Sequence, residues 1–408
     1  MLGDLKYCPV PISLDMDSLF SDGSVRLDLL KKHSRTRWAA LPDGVIPLTA
    51  ADPDFQVAVE IREAIMDVGR EGTFSYGESH GNLGFREVIA ETVKSRKRIT
   101  CTPEDVMVTS GVAQAMMLVA KYALEPGDEA ILFDPVDFLF GKAVDEAGGR
   151  KVYSQVDKES RRFDVDGLNE LVTPRTRLLC ICNPHNPLGR VLTEAELRGM
   201  ADVAVDNELV IMSDEIWSDI VYRGKRHVST ASLGSEVAER TVSLYGFSKT
   251  FAMAGLSLGY AVATDPEVME GLKRAAPGYF YTVNSVSQAA GEAAYSKAWY
   301  WADAFLKHLH DLRGYVCSRL GEMEGVRCHE PEGTYAVFPD ISSFGMTSEE
   351  MTKYLLEEAK VAVVPGHGEG FSYFGSGGEG NIRLVFSTSK GLVSEALDRI
   401  EKALNKLS

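Results

Sequence analysis

Short apolar runs alternate with amphipathic stretches between residues 104 and 264 of the chain. Residues 114–124 place apolar side chains at helical spacing and predict a helix. Strands that are apolar almost throughout, with helices between them, favour a mostly parallel sheet covered on both faces. The pattern therefore predicts an α/β fold, with strands at residues 106–109, 130–133, 178–182, 209–212, 242–245 and 259–263.

The pattern changes in the C-terminal part, where strands and helices no longer alternate regularly. Residues 291–320 predict one long helix that joins this part to the sheet. Residues 348–359 predict an amphipathic helix with Ser348 as its N-cap, and residues 392–407 predict a closing helix. Such a mixture is typical of a small α+β domain, with strands at residues 325–328, 334–338, 361–364 and 382–386.

The length of the chain, 408 residues, suits two domains. We expect a large α/β domain over residues 46–290, and a small α+β domain with an N-terminal arm over residues 1–45 and 291–408. Hydrophobic residues make up 45% and charged residues 25%, as in ordinary globular proteins. A formal net charge of −16 gives no general attraction to nucleic acid or anionic membranes, so neither is expected as a partner.

The cysteines indicate a reducing compartment. Six cysteines are too few for a disulfide framework in a chain of this length. Cys180 and Cys182 are better explained as positions in a buried strand than as metal ligands, so no metal site is expected. The N-terminus has no stretch that resembles a signal sequence, and no run of apolar residues is long enough to span a membrane. We expect a cytoplasmic location.

Chemically active side chains follow several predicted strands. Asn186 lies in the loop 183–189, Asp214 directly follows an apolar run, and Lys249 follows another. Ligands of parallel sheets bind beyond the carboxyl ends of the strands. Turns alone would explain glycine and proline at these ends, but not asparagine, aspartate and lysine at three of them. The sequence therefore predicts a ligand site at this edge.

Lys249 lies among apolar and small residues in the segment 243–255. If the side chain is buried, its ammonium form is disfavoured and its amine becomes a usable nucleophile. A Schiff-base lysine needs this property, which indicates pyridoxal phosphate (PLP) chemistry. Gly111 and Val112 begin a helix after a strand, where free backbone N–H groups bind phosphate.

The order and spacing of these motifs resemble a known family. The run Asn183-Pro184-His185-Asn186-Pro187-Leu188-Gly189 is followed by Asp214, 28 residues after Asn186 and 35 before Lys249. Arg383 follows in an apolar strand. The chain resembles the fold-type I PLP-dependent enzymes of the class I/II aminotransferase family over about residues 44–390. The resemblance implies a mostly parallel seven-stranded sheet between helices, a smaller α+β domain and PLP as cofactor.

The resemblance implies roles for individual residues. Lys249 would form the aldimine with PLP and then move a proton between the substrate and the cofactor. Asp214 would pair with the pyridine nitrogen, and Asn186 would bond the phenolic oxygen. Arg383 would bind the substrate α-carboxylate, and Ala51 would line the substrate entrance.

The phosphate would lie against Gly111, Val112 and Ser248. Tyr76 matches a tyrosine that reaches the phosphate of the neighbouring subunit, which would make the protein a homodimer with shared active sites. An ordinary turn tyrosine is an equal alternative.

Three positions depart from the family pattern. Asp137 stands where an aromatic ring usually stacks on PLP, unless Phe138 takes that role. Asp137 is interpreted as a group for substrate recognition or proton transfer, or as a side chain that points away. Trp217 replaces a tyrosine near the phenolic oxygen. Ser257 replaces a basic residue, which predicts looser phosphate binding.

The leading hypothesis is an aminotransferase that acts on an L-amino acid with a 2-oxo acid acceptor. The alternative is a carbon–sulfur β-lyase, because five segments resemble the cystathionine β-lyase-like subgroup: Arg37-Trp38 and residues 44–48, 52–55, 183–187 and 214–220. Asp137 replaces a tyrosine expected there and counts against it. A non-catalytic PLP-binding regulator is disfavoured, because the first ~40 residues are too few for a DNA-binding module.

The sequence does not name the substrate side chain. The glycine-rich residues 366–380, which include His367, are expected to form a mobile loop near the site.

Overall fold

A computed structural model describes residues 16–34, 36–276, 283–368 and 373–407. The strands are β1 Ile46–Pro47, β2 Val106–Thr109, β3 Glu129–Asp134, β4 Arg150–Gln155, β5 Thr176–Cys182, β6 Val210–Asp214, β7 Thr241–Gly246, β8 Gly259–Val262, β9 Ala336–Val337, β10 Val361–Ala362, β11 Val364–Pro365 and β12 Ile382–Val385. The helices are α1 Leu27–His33, α2 Val59–Glu71, α3 Leu83–Lys97, α4 Val112–Ala123, α5 Phe138–Glu146, α6 Glu194–Asp206, α7 Ser235–Arg240, α8 Pro266–Ala275, α9 Ser285–Lys297, α10 Trp299–Gly321, α11 Ser348–Tyr354 and α12 Lys390–Leu404.

The main sheet has seven strands in the order β2-β8-β7-β6-β5-β3-β4. Only β8 runs antiparallel to its neighbours within this sheet. The α/β fold class is confirmed, and each of the six strands predicted from apolar runs is present. The seventh strand, β4, has no apolar run because it is an edge strand whose side chains are mostly exposed.

Both faces of this sheet are buried, as its apolar strands predicted. Leu178, Cys180 and Cys182 of β5 belong to one hydrophobic cluster with side chains of α4, α5 and α8. Leu179 and Ile181 belong to a second cluster with side chains of α6. The interpretation of Cys180 and Cys182 as buried strand positions is confirmed.

The C-terminal part contains shorter strands than predicted. β9, β12 and β11 form an antiparallel sheet, and β10 pairs with β1. The predicted strand 361–364 is wrong as one element, because the chain changes partners after Ala362. The predicted strand 325–328 is also wrong: this segment makes one isolated bridge, between Arg327 and Asp340.

Two helix predictions are corrected. The predicted helix 291–320 is two helices, α9 and α10, separated at Ala298, which leaves the helical conformation with φ −110° and ψ 13°. Helix α11 is capped by Thr347 rather than Ser348. The Thr347 hydroxyl accepts a hydrogen bond from the Glu350 amide, and the Glu350 carboxylate accepts one from the Thr347 amide.

The N-terminal segment lies against the C-terminal part. Phe20 is buried between the rings of Phe55, Trp301 and Phe305. Residues 1–15 of the predicted arm, and residues 369–372 of the predicted loop, lie outside the described residues. No helix in the described ranges combines the length and apolar character that a membrane span needs.

Candidate active site

A cavity of about 410 Å³ opens where β5, β6 and β7 end. Almost all of the sequence-predicted site residues line it: Ala51, Gly111, Val112, Asp137, Asn186, Asp214, Trp217, Ser248, Lys249 and Arg383. Asp214 is the last residue of β6, and Lys249 lies three residues after the end of β7. The ends of these strands therefore bring the predicted residues together in one cavity.

Lys249 lies inside this cavity with its amine close to the protein backbone. Its Nζ donates a hydrogen bond to the Ala51 carbonyl at 2.7 Å, and it lies 5.3 Å from the centre of the Trp217 ring. Burial lowers the pKa of Lys249 from its ordinary value of 10.5, while the nearby Asp52 carboxylate opposes this. Burial therefore increases the fraction of the neutral, nucleophilic amine.

Asp214 is a buried carboxylate without an ion-pair partner among the described residues. Its Oδ1 accepts a hydrogen bond from the Ile216 amide at 3.1 Å. The pKa of Asp214 is raised to about 7, chiefly by burial and also by the negative charge of Asp137, while the hydrogen bond from the Ile216 amide and the charge of Lys249 oppose the rise. A cationic ring N–H would supply the missing partner. The protonated pyridine nitrogen of PLP fits this requirement.

The opposite wall of the cavity is suited to a phosphate. Gly111 adopts φ 85° and caps α4, so that the first amides of this helix lack intrahelical partners. Ser110, Ser248 and Ser257 also line the cavity. Backbone N–H groups at a helix N-terminus, together with hydroxyls, bind phosphate well.

Gly259 allows α4 to approach the sheet closely. A Cβ at this position would lie 2.8 Å from the Gly111 carbonyl carbon and from the Val112 nitrogen. Because these are backbone atoms, they cannot rotate away. A glycine on β8 is therefore needed for the phosphate-facing end of α4 to lie where it does.

Arg383 of β12 is buried at the other side of the cavity. Its Nη1 donates to Asn186 Oδ1 at 3.2 Å, its Nη2 donates to the Thr49 carbonyl at 3.0 Å, and its guanidinium lies 4.9 Å from the centre of the Phe374 ring. Nε has no hydrogen-bond partner in the described part of the chain. A guanidinium with a buried, unsatisfied donor and no described carboxylate partner is suited to bind a substrate carboxylate.

Asp137 is held at the start of α5. Its Oδ1 accepts from the Leu139 amide at 3.0 Å, as an N-cap does, and its Oδ2 accepts from Asn186 Nδ2 at 2.6 Å. Phe138 also lines the cavity. The sequence interpretation did not include a bond between Asp137 and Asn186.

Other contributors were missed at the sequence level. The Tyr335 hydroxyl donates to the Ala51 carbonyl at 3.2 Å, and its ring lies edge-on to Trp217 at 4.6 Å. Phe374 and Thr49 hold Arg383. Tyr335 falls in a predicted strand, but sequence periodicity does not tell which strand face meets a neighbouring domain.

Tyr76 is not among the described residues that line the cavity. It lies between α2 and α3, and 90% of its surface is exposed in the single chain.

The fold and the site together define a PLP-dependent transferase of fold type I. A family model for aminotransferase class I and II matches residues 43–400. The chain belongs to this family and is a PLP-dependent aminotransferase, so that its cofactor is pyridoxal 5′-phosphate.

Named relatives cover nearly the whole chain. The aromatic-amino-acid aminotransferase 2 of Thermococcus litoralis is 35% identical over 367 residues, which is 89% of this chain and 92% of that protein. The aspartate aminotransferase of Pyrococcus abyssi is 35% identical over 389 residues, which is 94% of this chain and 98% of that protein. The solved structure of an aromatic aminotransferase from Pyrococcus horikoshii OT3 has a TM-score of 0.83 at 35% identity, covering 91% of this chain and 99% of that one.

Proposed function

We propose that the enzyme transfers the α-amino group of an L-amino acid to a 2-oxo acid, with Lys249 as the catalytic amine and proton carrier. The observation that carries this proposal is the convergence of Lys249, Asp214 and Arg383 on one cavity. These residues offer an amine, a partner for a ring nitrogen and a partner for a carboxylate. Together they match the groups that a PLP-dependent reaction of an amino acid must engage.

Residues that line the cavity would hold the cofactor. Amides at the Gly111–Val112 end of α4 and the Ser248 hydroxyl would bind its phosphate. Asp214 would bond the ring nitrogen, Asn186 would bond the ring oxygen, and Trp217 would lie beside the ring. PLP, when bound, supplies an electron-withdrawing ring that stabilises negative charge at the substrate Cα.

Lys249 moves the proton. Its Nζ would accept the proton released from the substrate Cα and would later donate a proton again, acting first as base and then as acid. The lowered pKa of Lys249 supports this role, because the neutral amine is the form that accepts a proton. Burial of the amine also keeps bulk water from competing for that proton.

The donor is proposed to carry an aromatic or apolar side chain. Within the described lining, Phe138, Leu139, Ile216 and Leu258 are apolar, and the cationic side chains are those of Lys249 and Arg383 alone. A second substrate carboxylate would thus lack a described cation of its own. The named relatives include both an aromatic-amino-acid and an aspartate aminotransferase.

A spectroscopic assay tests the proposed reaction. The enzyme loaded with PLP is mixed with phenylalanine, tyrosine, aspartate and cystathionine in turn, and conversion of the bound cofactor to its pyridoxamine form is followed by absorbance. We expect conversion with the aromatic donors, and its reversal by a 2-oxo acid. Release of pyruvate and ammonia from cystathionine without conversion would instead indicate the carbon–sulfur β-lyase.

Two of the segments that suggested the β-lyase, Arg37-Trp38 and residues 52–55, have a structural explanation. Arg37 and Asp54 form a buried ion pair at 2.9 Å, and Trp38 Nε1 donates to the same Asp54 oxygen at 2.8 Å. These side chains lie outside the described lining of the cavity. They stabilise the segment before α2, and this role favours neither reaction.

The active enzyme is proposed to be a homodimer in which Tyr76 completes the partner's site. Phe74 and Tyr76 are 64% and 90% exposed, and Met66 and Leu83 nearby are also exposed. An exposed cluster of large apolar side chains favours a subunit interface.

The domain division, with a large domain over residues 46–290, is also proposed. A cytoplasmic location is supported by the free thiols of all five described cysteines, and cell fractionation tests it.

A further inference from the structure

Three side chains in the cavity form a continuous hydrogen-bonded chain. Asp137 Oδ2 accepts from Asn186 Nδ2 at 2.6 Å, and Asn186 Oδ1 accepts from Arg383 Nη1 at 3.2 Å. The chain links the start of α5 to the guanidinium on β12. Asn186 is therefore bonded at both ends of its amide by charged side chains.

The charges at the two ends allow only one orientation of the Asn186 amide. A carboxylate can only accept hydrogen bonds, and a guanidinium can only donate them. If the amide rotated by half a turn, its NH₂ group would face the Arg383 donors and its oxygen would face the Asp137 oxygen. Asp137 thus fixes Asn186 Oδ1 towards Arg383, and one hydrogen of Nδ2 remains for another acceptor.

Asp137 is itself rigidly placed. Its other carboxylate oxygen caps α5 through the Leu139 amide at 3.0 Å. Arg383 is held on its far side by the Thr49 carbonyl and the Phe374 ring. The negative charge of Asp137 also raises the pKa of Arg383 against the effect of burial, so this charge is felt at the guanidinium.

We propose that Asp137 is a positioning residue for substrate binding: through Asn186 it keeps Arg383 aligned for the substrate carboxylate. The remaining Nδ2 hydrogen of Asn186 then stays available for the ring oxygen of the cofactor. This inference rests on the proposed function in one respect, namely that Arg383 binds the substrate carboxylate. It assigns a specific task to a side chain that stands where the family usually has an aromatic ring.

The test measures binding of 3-phenylpropanoate, a carboxylate without an amino group, to the PLP-loaded enzyme by calorimetry. The proteins are the natural enzyme, Asp137→Ser, Asn186→Ala and the double variant. Serine is a good N-cap, so Asp137→Ser keeps the cap of α5 and loses the bond to Asn186. Arg383→Met establishes that the probe binds at Arg383, and Asp145→Ser removes an exposed acid from the same helix as a matched control.

We expect Asp137→Ser to weaken probe binding about tenfold, because an oriented hydrogen bond to a charged group is lost. Asn186→Ala should weaken it to a similar extent, and the double variant should be no weaker than Asn186→Ala. This non-additivity is the mark of two residues that act as a unit. For Asp137→Ser the KM for the amino acid donor should rise in parallel with the dissociation constant of the probe, and kcat should fall by a smaller factor than KM rises.

If Asp137 acted through its charge alone, the change in probe affinity on its removal would have the opposite sign. If Asp137 acted only as a negative charge near Arg383, its removal would tighten probe binding in both backgrounds, and the inference would be overturned. Equal weakening in both backgrounds, or probe binding that is absent from the natural enzyme or insensitive to Arg383→Met, would overturn it too. A failure of the proposed reaction looks different: amino acids would not convert the cofactor, although the probe series still showed the non-additive pattern.

Discussion

The buried carboxylate of Asp214 lowers the free energy of unfolding of the cofactor-free protein at neutral pH. Burial raises its pKa from 3.8 to about 7. Well below pH 4 the carboxyl is protonated in both folded and unfolded chains, so its burial costs little. As pH rises from 4 to 7, the unfolded chain ionises first and stability falls. Above pH 7 the loss is complete, at about 4 kcal/mol for a shift of about three units.

Asp214→Asn should therefore stabilise the cofactor-free protein strongly at pH 8 and only slightly at pH 4. The amide keeps an oxygen for the Ile216 amide but carries no charge. The midpoint of urea unfolding, measured at both pH values, checks this. A gain of the same size at pH 4 would mean that burial of the charge is not the cause. In the loaded enzyme the same substitution should weaken cofactor binding.

Lys249→Ala should slow conversion of the bound cofactor by phenylalanine at least about 100-fold, because the proton carrier is lost. Stopped-flow absorbance of the loaded enzyme measures this rate. Lys142→Ala is a suitable control, since Lys142 is an exposed lysine on α5. A Lys249→Ala enzyme that converts its cofactor at the natural rate would exclude the proposed role.

The main site residues were predictable because they are close in sequence to strand ends. Asn186, Asp214 and Lys249 follow apolar strands, and parallel topology alone brings such positions together. The residues that contact Arg383 and hold its guanidinium in place were not predictable. Phe374 and Thr49 meet it only after segments far apart in the chain have folded onto each other.

At the scale of elements, α4 approaches β8 closely at Gly259. Gly259→Ala would place a methyl group 2.8 Å from backbone atoms of Gly111 and Val112. We expect it to destabilise the fold by about 1–3 kcal/mol and to weaken cofactor binding, because the phosphate-facing amides must shift. Thermal unfolding and a PLP titration check this.

Gly314→Ala is the matched control for Gly259→Ala. Gly314 lies inside α10, and a Cβ there would meet nothing within 4 Å. Alanine should stabilise this helix by about 0.5–1 kcal/mol and leave PLP affinity unchanged. Equal behaviour of the two variants would contradict the close-approach argument.

Elements with a strong apolar pattern were predicted well, and those governed by their partners were not. The central strands of the sheet are buried on both faces, so their sequences carry the signal. The edge strand β4 is exposed, and the break at Ala298 has no proline or glycine to mark it. In the C-terminal sheet, where β10 and β11 begin and end depends on which strand each one meets.

At the scale of the whole molecule, the proposed dimer predicts complementation between subunits. Lys249→Ala and Tyr76→Ala subunits are each expected to be impaired alone. In a mixed dimer, one site combines a natural Lys249 with a natural Tyr76 from the partner. Equal mixing should restore about one quarter of the natural activity, since half of the dimers are mixed and each has one intact site. No recovery from subunits that demonstrably exchange would exclude a shared site.

The Ala51 carbonyl can report on cofactor binding because it accepts two hydrogen bonds. It accepts from both Lys249 Nζ and the Tyr335 hydroxyl. Once Lys249 is joined to the cofactor, its nitrogen has fewer hydrogens to donate, and the carbonyl keeps the bond from Tyr335. Losing a hydrogen bond stiffens a C=O group and raises its vibrational frequency. An isotope label at this single carbonyl would therefore make the backbone itself an infrared reporter of cofactor loading, independent of the colour of the cofactor.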